Sequence, residues 1–195
     1  MLLLLCDEVC PSTTDNWPCV YSTVCCAHLC AIHCWTDRWC RYFAQLHFIQ
    51  GRFPISKDAV RIDFDWCDAF STEIHVKVAN LLWEKVAVMW NMATLQNNVG
   101  TGLDRSRAEG AKAAASHCAM AAGMFDFILK ISNDFQEERT RDISPPLLNL
   151  MREICIANAQ SCAYDGARVK GVADALLARL AFATSQAYQR CSECV

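Results

Sequence analysis

The sequence predicts a mainly α-helical protein made of long antiparallel helical hairpins, with one short strand near residues 60–66. Two stretches carry this prediction, because apolar residues recur every three to four positions over 81–93 and again over 111–129. Such spacing is typical of helices that bury one face. The connections between the predicted helices are short, which favours antiparallel neighbours packed side by side in a stack of helical pairs.

Length and charge limit the class of protein. A chain of 195 residues is expected to form one domain, and a net charge of −3 argues against a nucleic-acid-binding protein, which usually has a strongly basic face. No apolar run reaches the roughly 18 residues of a membrane span. The first basic residue is Arg38, whereas a secretory signal begins with basic residues. We therefore expect a cytoplasmic protein with no nucleic-acid partner and no transmembrane segment.

The N-terminal part differs in character from the remainder. Eight of the 14 cysteines fall in the first 40 residues, and residues 1–37 contain no lysine or arginine. The cysteines and histidines of 24–35 do not form the two separated pairs that are typical of a zinc site, so an incidental cluster is favoured over a metal site. We interpret residues 1–37 as a divergent or wrongly joined cysteine-rich extension, either disordered or containing a short apolar helix at 24–35.

From residue 38 the pattern becomes regular. Residues 38–50 predict an amphipathic helix that is stopped by Gly51 and Pro54. An alternation of apolar and charged residues then predicts the strand at 60–66, for which no partner strand is apparent.

Four further helices are expected, at about 73–99, 106–132, 145–166 and 168–190. The glycines at 100 and 102 are assigned to the turn between the first two of these helices. Asp104 or Ser106 is expected to cap the 106–132 helix, and Ser144 is expected to cap the next one, with Pro145 at its first position.

No group of residues predicts catalysis, a cofactor or a metal site. Ser116, His117 and Cys118 are consecutive, so on a helix they point in different directions and cannot form a relay. Glu84 and Lys85 are interpreted as structural residues that form ion pairs or hydrogen bonds.

A redox site at the C-terminus is not favoured either. Cys191 and Cys194 have the spacing of a redox pair but follow the end of a helix, whereas a thiolate is stabilised at a helix N-terminus.

The last predicted helix has more apolar surface than one packing partner needs. One stripe of apolar residues is widened by Leu177, Ala181 and Phe182. The excess is either buried by a further helix or kept for an incoming amphipathic helix, and both readings stay open at this point. The stripe itself consists of Val169, Val172, Ala173, Leu176, Leu180 and Ala183.

Six ordered blocks of the sequence resemble the Alix-type BRO domain. They are YFAQLHFIQGRFPIS (42–56), IDFDWCDAF (62–70), EKVAVMWNMATL (84–95), DRSRAEG (104–110), HCAMAAGMFDFI (117–128) and DISPPLLNLMREICIANAQSCAYDGA (142–167). The resemblance covers about residues 40–190 and implies a curved, tetratricopeptide-like helical domain with a small N-terminal sheet. Residues 38–195 would then hold a partial BRO domain, its central portion.

The resemblance also implies a function. BRO domains of this type are non-enzymatic adaptors that bind the C-terminal amphipathic helix of an ESCRT-III subunit during endosomal sorting and multivesicular-body formation. We therefore expect a cytoplasmic protein that is recruited to endosomes and associates with their membrane only peripherally, through its partners. The alternative is a truncated regulatory or structural fragment of a larger BRO-domain protein, with little activity of its own.

Alignment on the Ala159-Gln160 pair carries the family's partner-binding positions to Ala163, Leu176 and Leu180. Leu176 and Leu180 are one helical turn apart, as a docking groove requires. Ala163 departs from the aromatic residue that is usual in the family, and Tyr164 stands next to it.

Overall fold

The fold is that of a helical stack with a small β-hairpin near one end. The computed structural model describes residues 26–133, 135 and 139–194, with the backbone alone described for 26–36 and Thr72. Within these residues the order of elements is α1 Cys26–Gln50, β1 Phe64–Asp68, β2 Ser71–Val78, α2 Leu81–Gly102, α3 Ala108–Ser132, α4 Pro145–Val169 and α5 Asp174–Glu193. A 3-10 turn, Arg141–Ile143, precedes α4. The predicted fold class is confirmed.

The N-terminal predictions have different outcomes. Helix α1 ends at Gln50, where the sequence predicts its end, but it already begins at Cys26. The side chains of the cysteines and histidines in 24–35 lie outside the described part of the chain. The boundary between an extension and a domain at residues 37 and 38 stays a prediction.

The predicted single strand is part of a hairpin. β1 begins at Phe64 rather than at residue 60, and it pairs antiparallel with β2, with Phe64 opposite Val78 and Trp66 opposite Val76. The prediction of a helix from residue 73 is therefore wrong, because 71–78 is β2 and α2 begins at Leu81. The missed signal is the alternation of Ile74, Val76 and Val78 with polar residues, which is the period of a half-buried strand.

Asn80 separates the hairpin from α2. It is the N-cap of that helix, and its side-chain oxygen accepts a hydrogen bond of 2.9 Å from the backbone N–H of Leu82. This cap satisfies one of the free amide groups of the first turn, so the chain changes from strand to helix within two residues.

Gly100 has a packing role and does not form a turn, contrary to the prediction. It lies in the last turn of α2, which ends at Gly102. A Cβ atom at Gly100 would lie 2.5 Å from the sulfur of Cys118 and 2.9 Å from the carbonyl oxygen of Ala114, both on α3. Glycine is therefore required here because the backbones of α2 and α3 approach each other closely.

The predicted caps of α3 and α4 are only partly correct. The N-cap of α3 is Arg107, without a side-chain cap bond, whereas Asp104 accepts hydrogen bonds from the N–H and hydroxyl of Ser106 in the preceding loop. Ser144 is the N-cap of α4 with Pro145 after it, as predicted, but its hydroxyl donates to the carbonyl of Arg141. The position of a cap can be read from the sequence more readily than its bonds.

The core lies between α2, α3 and α4. Its largest fully buried side chains include Trp83 and Val86 of α2, Phe125 and Ile128 of α3, and Leu148 of α4. Helix α3 is the one described helix long and apolar enough to cross a membrane by length and composition. Its buried face supplies the middle of this core.

Buried polar groups attach α1 and β1 to α2. Glu84 is 5% exposed and accepts hydrogen bonds from the Tyr42 hydroxyl at 2.6 Å and the Trp66 ring nitrogen at 2.5 Å. Lys85 donates to the side chain of Gln50. The prediction that Glu84 and Lys85 are structural residues is confirmed, because both join separate elements through partly buried hydrogen bonds.

Candidate docking surface on the α4–α5 hairpin

The last two helices form an antiparallel hairpin with a short connection. Helix α4 continues to Val169, beyond its predicted end at residue 166, and α5 begins only at Asp174. Gly171 in the connection has a φ of 66°, a left-handed conformation that glycine adopts without strain. Val169, Val172 and Ala173 consequently lie outside α5, so the predicted apolar stripe of the last helix begins only at Leu176.

Two side-chain contacts define the register of this hairpin. The Nε of Arg190 donates to Oε2 of Glu153 at 3.3 Å, and the hydroxyl of Tyr188 donates to Oδ1 of Asn158 at 3.1 Å. Glu153 and Asn158 are five residues apart on α4, so at 100° per residue the two contacts lie on different flanks of the helix, about 140° apart. We call the flank marked by the Glu153–Arg190 pair the arginine flank.

The predicted site residues on α5 take different positions relative to this flank. Leu176 is 14 residues before Arg190 and therefore points within about 40° of it; its side chain is 46% exposed. Leu180 points between the directions of Tyr188 and Arg190, toward α4, and is half-buried. Leu176 is thus the accessible member of the pair, whereas Leu180 lies at the interface between α4 and α5.

On α4 the aromatic neighbour is better placed than the predicted alanine. Tyr164 is eleven residues after Glu153, so it points within about 20° of it, on the arginine flank. Ala163 points about 80° away and is exposed, while Tyr164 is half-buried. Of the two residues, Tyr164 is therefore the one that points to the same flank as Leu176.

Helix α5 packs through one narrow face. Ala187 is its one residue classed as buried, and Leu176, Phe182 and Tyr188 are 46%, 64% and 46% exposed. Phe182 points about 120° from Leu176 and about 80° from Arg190, on the side of α5 that faces away from α4.

A chain of ion pairs crosses the three C-terminal helices. Lys130 and Asp126 of α3 lie 2.7 Å apart, and Arg152 of α4 reaches both Asp126 at 3.6 Å and Glu153 at 3.0 Å. Glu153 in turn holds Arg190 of α5. The hydrogen bond from Lys130 keeps the pKa of Asp126 below its usual value, so its carboxylate stays ionised at neutral pH.

The groups considered for catalysis have structural environments. His117 Nδ1 lies 2.6 Å from Oε1 of Gln96, and Cys118 is fully buried, where burial raises the pKa of its thiol to about 11. A thiol of this kind is a poor nucleophile. In the part of the chain that the structure describes, no group of three or more His, Cys, Asp or Glu side chains is placed to hold a metal ion.

A second set of contacts fixes the far end of α4. Arg105, in the loop before α3, reaches Asp165 at 3.2 Å, and Arg168 approaches the same carboxylate at 3.6 Å. Sequence patterns did not indicate Arg105 or the Glu153–Arg190 pair, because these contacts join residues that are far apart in the chain. The one signal present was the placement of Arg179 and Arg190 on the same helical side as Leu176.

The fold is that of a helical domain whose final hairpin exposes apolar and basic residues. The BRO1-like domain family matches residues 32–195. The chain therefore belongs to the BRO1-like domain family.

Two curated relatives illustrate the relationship. The chain is similar to the ALG-2 interacting protein X of Dictyostelium discoideum, with 29% identity over 149 residues that make up 76% of this chain and 19% of the relative. It is similar to the human Programmed cell death 6-interacting protein, with 31% identity over 148 residues, or 72% of this chain and 17% of the relative. The chain thus spans less than a fifth of the length of these relatives.

Solved structures show the same fold. An ALIX structure in complex with the SIVmac239 PYKEVTEDL late domain superposes with a TM-score of 0.77 at 28% identity, covering 82% of this chain and 24% of that chain. An ALIX BRO1–CHMP4C complex superposes with a TM-score of 0.76 at 27% identity, covering 82% of this chain and 46% of that chain.

Proposed function

We propose that this protein is a non-enzymatic adaptor that docks the C-terminal amphipathic helix of an ESCRT-III subunit on the α4–α5 hairpin. The observation that carries the proposal is that the exposed Leu176 of α5 and the half-buried Tyr164 of α4 both point to the arginine flank. A related ALIX BRO1 domain has been solved as a complex with CHMP4C, which supports a partner of this class. Such a partner would recruit the protein from the cytoplasm to endosomes, with no membrane segment of its own engaged.

The proposed anchors are Leu176, Leu180 and Tyr164, with Ala163 at the edge of the surface. An amphipathic helix buries apolar residues at three- and four-residue spacing against such a face. Because Ala163 offers little apolar area, Tyr164 takes the place of the usual aromatic anchor in this proposal. The docked helix would then lie between Leu176 and Tyr164, above the half-buried Leu180.

The test compares two aspartate variants of α5. Leu176→Asp places a charge in the proposed contact, whereas Phe182→Asp places the same charge about 120° further around the same helix, on the side that faces away from α4. We expect Leu176→Asp to weaken binding by about 30-fold, which corresponds to the loss of about 2 kcal/mol at an anchor residue. Phe182→Asp should bind within about twofold of the parent, since it leaves the anchors intact.

Fluorescence anisotropy with a labelled synthetic peptide of an ESCRT-III C-terminal helix provides the measurement, and circular dichroism confirms that both variants keep their helices. Tyr164→Ala, assayed in the same way, reports on the aromatic anchor. Equal losses for Leu176→Asp and Phe182→Asp, or no loss for either, would refute the assignment of the surface.

A different observation favours the alternative that the chain acts as a regulatory or structural portion of a larger BRO-domain protein. Phe48, Phe53, Phe70 and Ile74, in α1, the following loop and the β-hairpin, are 70%, 54%, 59% and 47% exposed. Exposed apolar residues in this number are typical of a surface that another element covers. Rapid proteolysis and a broad thermal transition of the 195-residue chain would favour this alternative; a sharp transition would oppose it.

A further inference from the structure

The outer face of the β-hairpin carries a thiol, an imidazole and a carboxylate side by side. Cys67 of β1 lies directly opposite His75 of β2, and Asp65 lies two residues before Cys67 on the same strand. Side chains alternate between the two faces of a strand, so these three residues share one face. Trp66 and Val76 lie on the other face and pack against the core. The trio is therefore on the side of the hairpin that faces away from the core.

The distances place the imidazole between the thiol and the carboxylate. The Sγ of Cys67 lies 3.5 Å from Nδ1 and 3.7 Å from Nε2 of His75, and Nδ1 lies 3.5 Å from Oδ1 of Asp65. In the tautomer that donates from Nδ1 toward the carboxylate, Nε2 has a free lone pair within reach of the thiol. A base beside a nucleophile, oriented in turn by a third group, is the arrangement that activates thiols in proteins.

Small molecules can reach this trio from solvent. The side chains of His75 and Asp65 are 54% and 53% exposed, and Cys67 is half-buried. The strand pairing shifts register immediately after Cys67, so the ladder is regular on one side of the Cys67–His75 pair alone. The described residues contain no group of three or more such side chains placed to hold a metal ion. Transfer of the thiol proton to the imidazole is the chemistry that this arrangement supports.

Cys40 of α1 provides a comparison within the same molecule. It is exposed, but desolvation and the negative charge of Asp37 raise the pKa of its thiol. A thiol of raised pKa contains little thiolate at neutral pH, and the thiolate is the form that attacks a disulfide. Cys40 and Cys67 are thus two accessible thiols with different ionisable neighbours, a carboxylate in one case and an imidazole in the other.

We propose that Cys67 is a site of reversible thiol modification, activated by His75 and Asp65, which forms a mixed disulfide with a small disulfide of the glutathione type. His75 accepts the proton of the Cys67 thiol, and Asp65 stabilises the resulting imidazolium. The thiolate attacks one sulfur of the small disulfide, so that a new sulfur–sulfur bond forms at Cys67 and the original one breaks. The leaving thiolate takes the proton from His75. Cys67 is oxidised and the leaving sulfur is reduced, and no other reactant is needed.

The test compares two cysteines of one protein. The 195-residue chain is incubated with glutathione disulfide at neutral pH, and free thiols are blocked with N-ethylmaleimide at short times. Peptide mass spectrometry then measures the mixed disulfide at Cys67 and at Cys40. We expect Cys67 to react about tenfold faster than Cys40. Equal rates, a faster reaction at Cys40, or a mass increase at Cys67 that dithiothreitol does not remove would refute the proposal.

Protein variants assign the reactivity to the neighbours of Cys67. His75→Gln removes the base and should slow the reaction about tenfold, to the rate of Cys40. Asp65→Asn removes the charge that stabilises the imidazolium and should slow it about threefold. Glu73→Gln is the matched control, because it removes the same charge from an exposed residue of β2 and should not slow the reaction.

The rate at Cys40 is the internal reference in every variant, and circular dichroism checks that the fold is kept. An unchanged rate at Cys67 in His75→Gln would show that the imidazole is not the base, and the proposed activation would be wrong. A loss in Glu73→Gln as large as that in Asp65→Asn would show an effect of net charge and would refute the role of Asp65.

Discussion

The close approach of α2 and α3 at Gly100 provides a direct test of the fold. Replacing Gly100 with alanine adds one methyl group whose carbon would lie 2.5 Å from the Cys118 sulfur, 2.9 Å from the Ala114 carbonyl oxygen and 3.1 Å from the Cys118 backbone nitrogen. Two of these three contacts are with backbone atoms, so a change of side-chain rotamer cannot relieve them. The helices must move apart, which disturbs the packing of Cys118 against Cys162 of α4.

The expected free-energy change has two opposing parts. Overpacking of a well-packed core costs about 1–3 kcal/mol. Alanine in place of glycine within a helix stabilises the folded state by about 1 kcal/mol, because a chain with alanine loses less conformational entropy on folding. We therefore expect Gly100→Ala to lower the free energy of unfolding by up to about 2 kcal/mol.

Gly123 of α3 is the matched control. A Cβ atom at Gly123 meets nothing within 4 Å, so Gly123→Ala gains the helix propensity without a clash and should raise the free energy of unfolding by about 0.5–1 kcal/mol. Urea unfolding followed by circular dichroism measures both variants. Equal stability of the two variants, or a more stable Gly100→Ala protein, would show that α2 and α3 do not approach as closely as described.

Two further predictions concern buried carboxylates. Glu84→Gln should lower the free energy of unfolding by about 1–2 kcal/mol in urea titrations, because the ring N–H of Trp66 can only donate and the amide has a single acceptor oxygen; an unchanged midpoint would contradict it. For Asp142, burial raises the carboxyl pKa above its ordinary value of 3.8, so the folded protein holds this proton more tightly than the unfolded chain. The stability that this carboxyl contributes is fully present below pH 3.8 and is lost as the pH rises through the raised pKa. Above about pH 4 the unfolding free energy of Asp142→Asn should therefore decline less steeply with pH than that of the parent protein. The difference between the two slopes is at most about 1.4 kcal/mol per pH unit. Parallel pH profiles for the two proteins would contradict this reasoning.

The helices could be predicted because their apolar period is local and long. The stretch 81–93 and the stretch 111–129 each repeat the pattern over several turns, and both are helical in the structure. The β-hairpin was missed because β2 has only eight residues. An alternation of apolar and polar residues over so short a stretch can also be read as the first turns of a helix. Its strand conformation depends on pairing with β1, and that pairing is a tertiary contact.

The roles of the glycine and cap residues likewise depend on tertiary contacts as well as on residue type. Gly100 was assigned to a turn because glycine is common there, yet its position is determined by the distance between two helix backbones. Asp104 was assigned to a cap for its side-chain oxygen, which instead accepts from Ser106 within the loop. A residue type limits the roles that a position can have, and the surroundings select among them.

The sequence by itself determined the fold class, the order of the long helices and the BRO1-like resemblance, because these follow from local periodicity and from blocks of residues read in order. It also indicated Leu176 and Leu180 as neighbours on one helix, since their spacing is one turn. Only the tertiary structure decided that Leu176 is exposed and Leu180 half-buried, and that Glu153 of α4 holds Arg190 of α5. The reason is physical: exposure and register depend on contacts between α4 and α5 that join residues 30 and 37 positions apart, and no local pattern encodes such contacts.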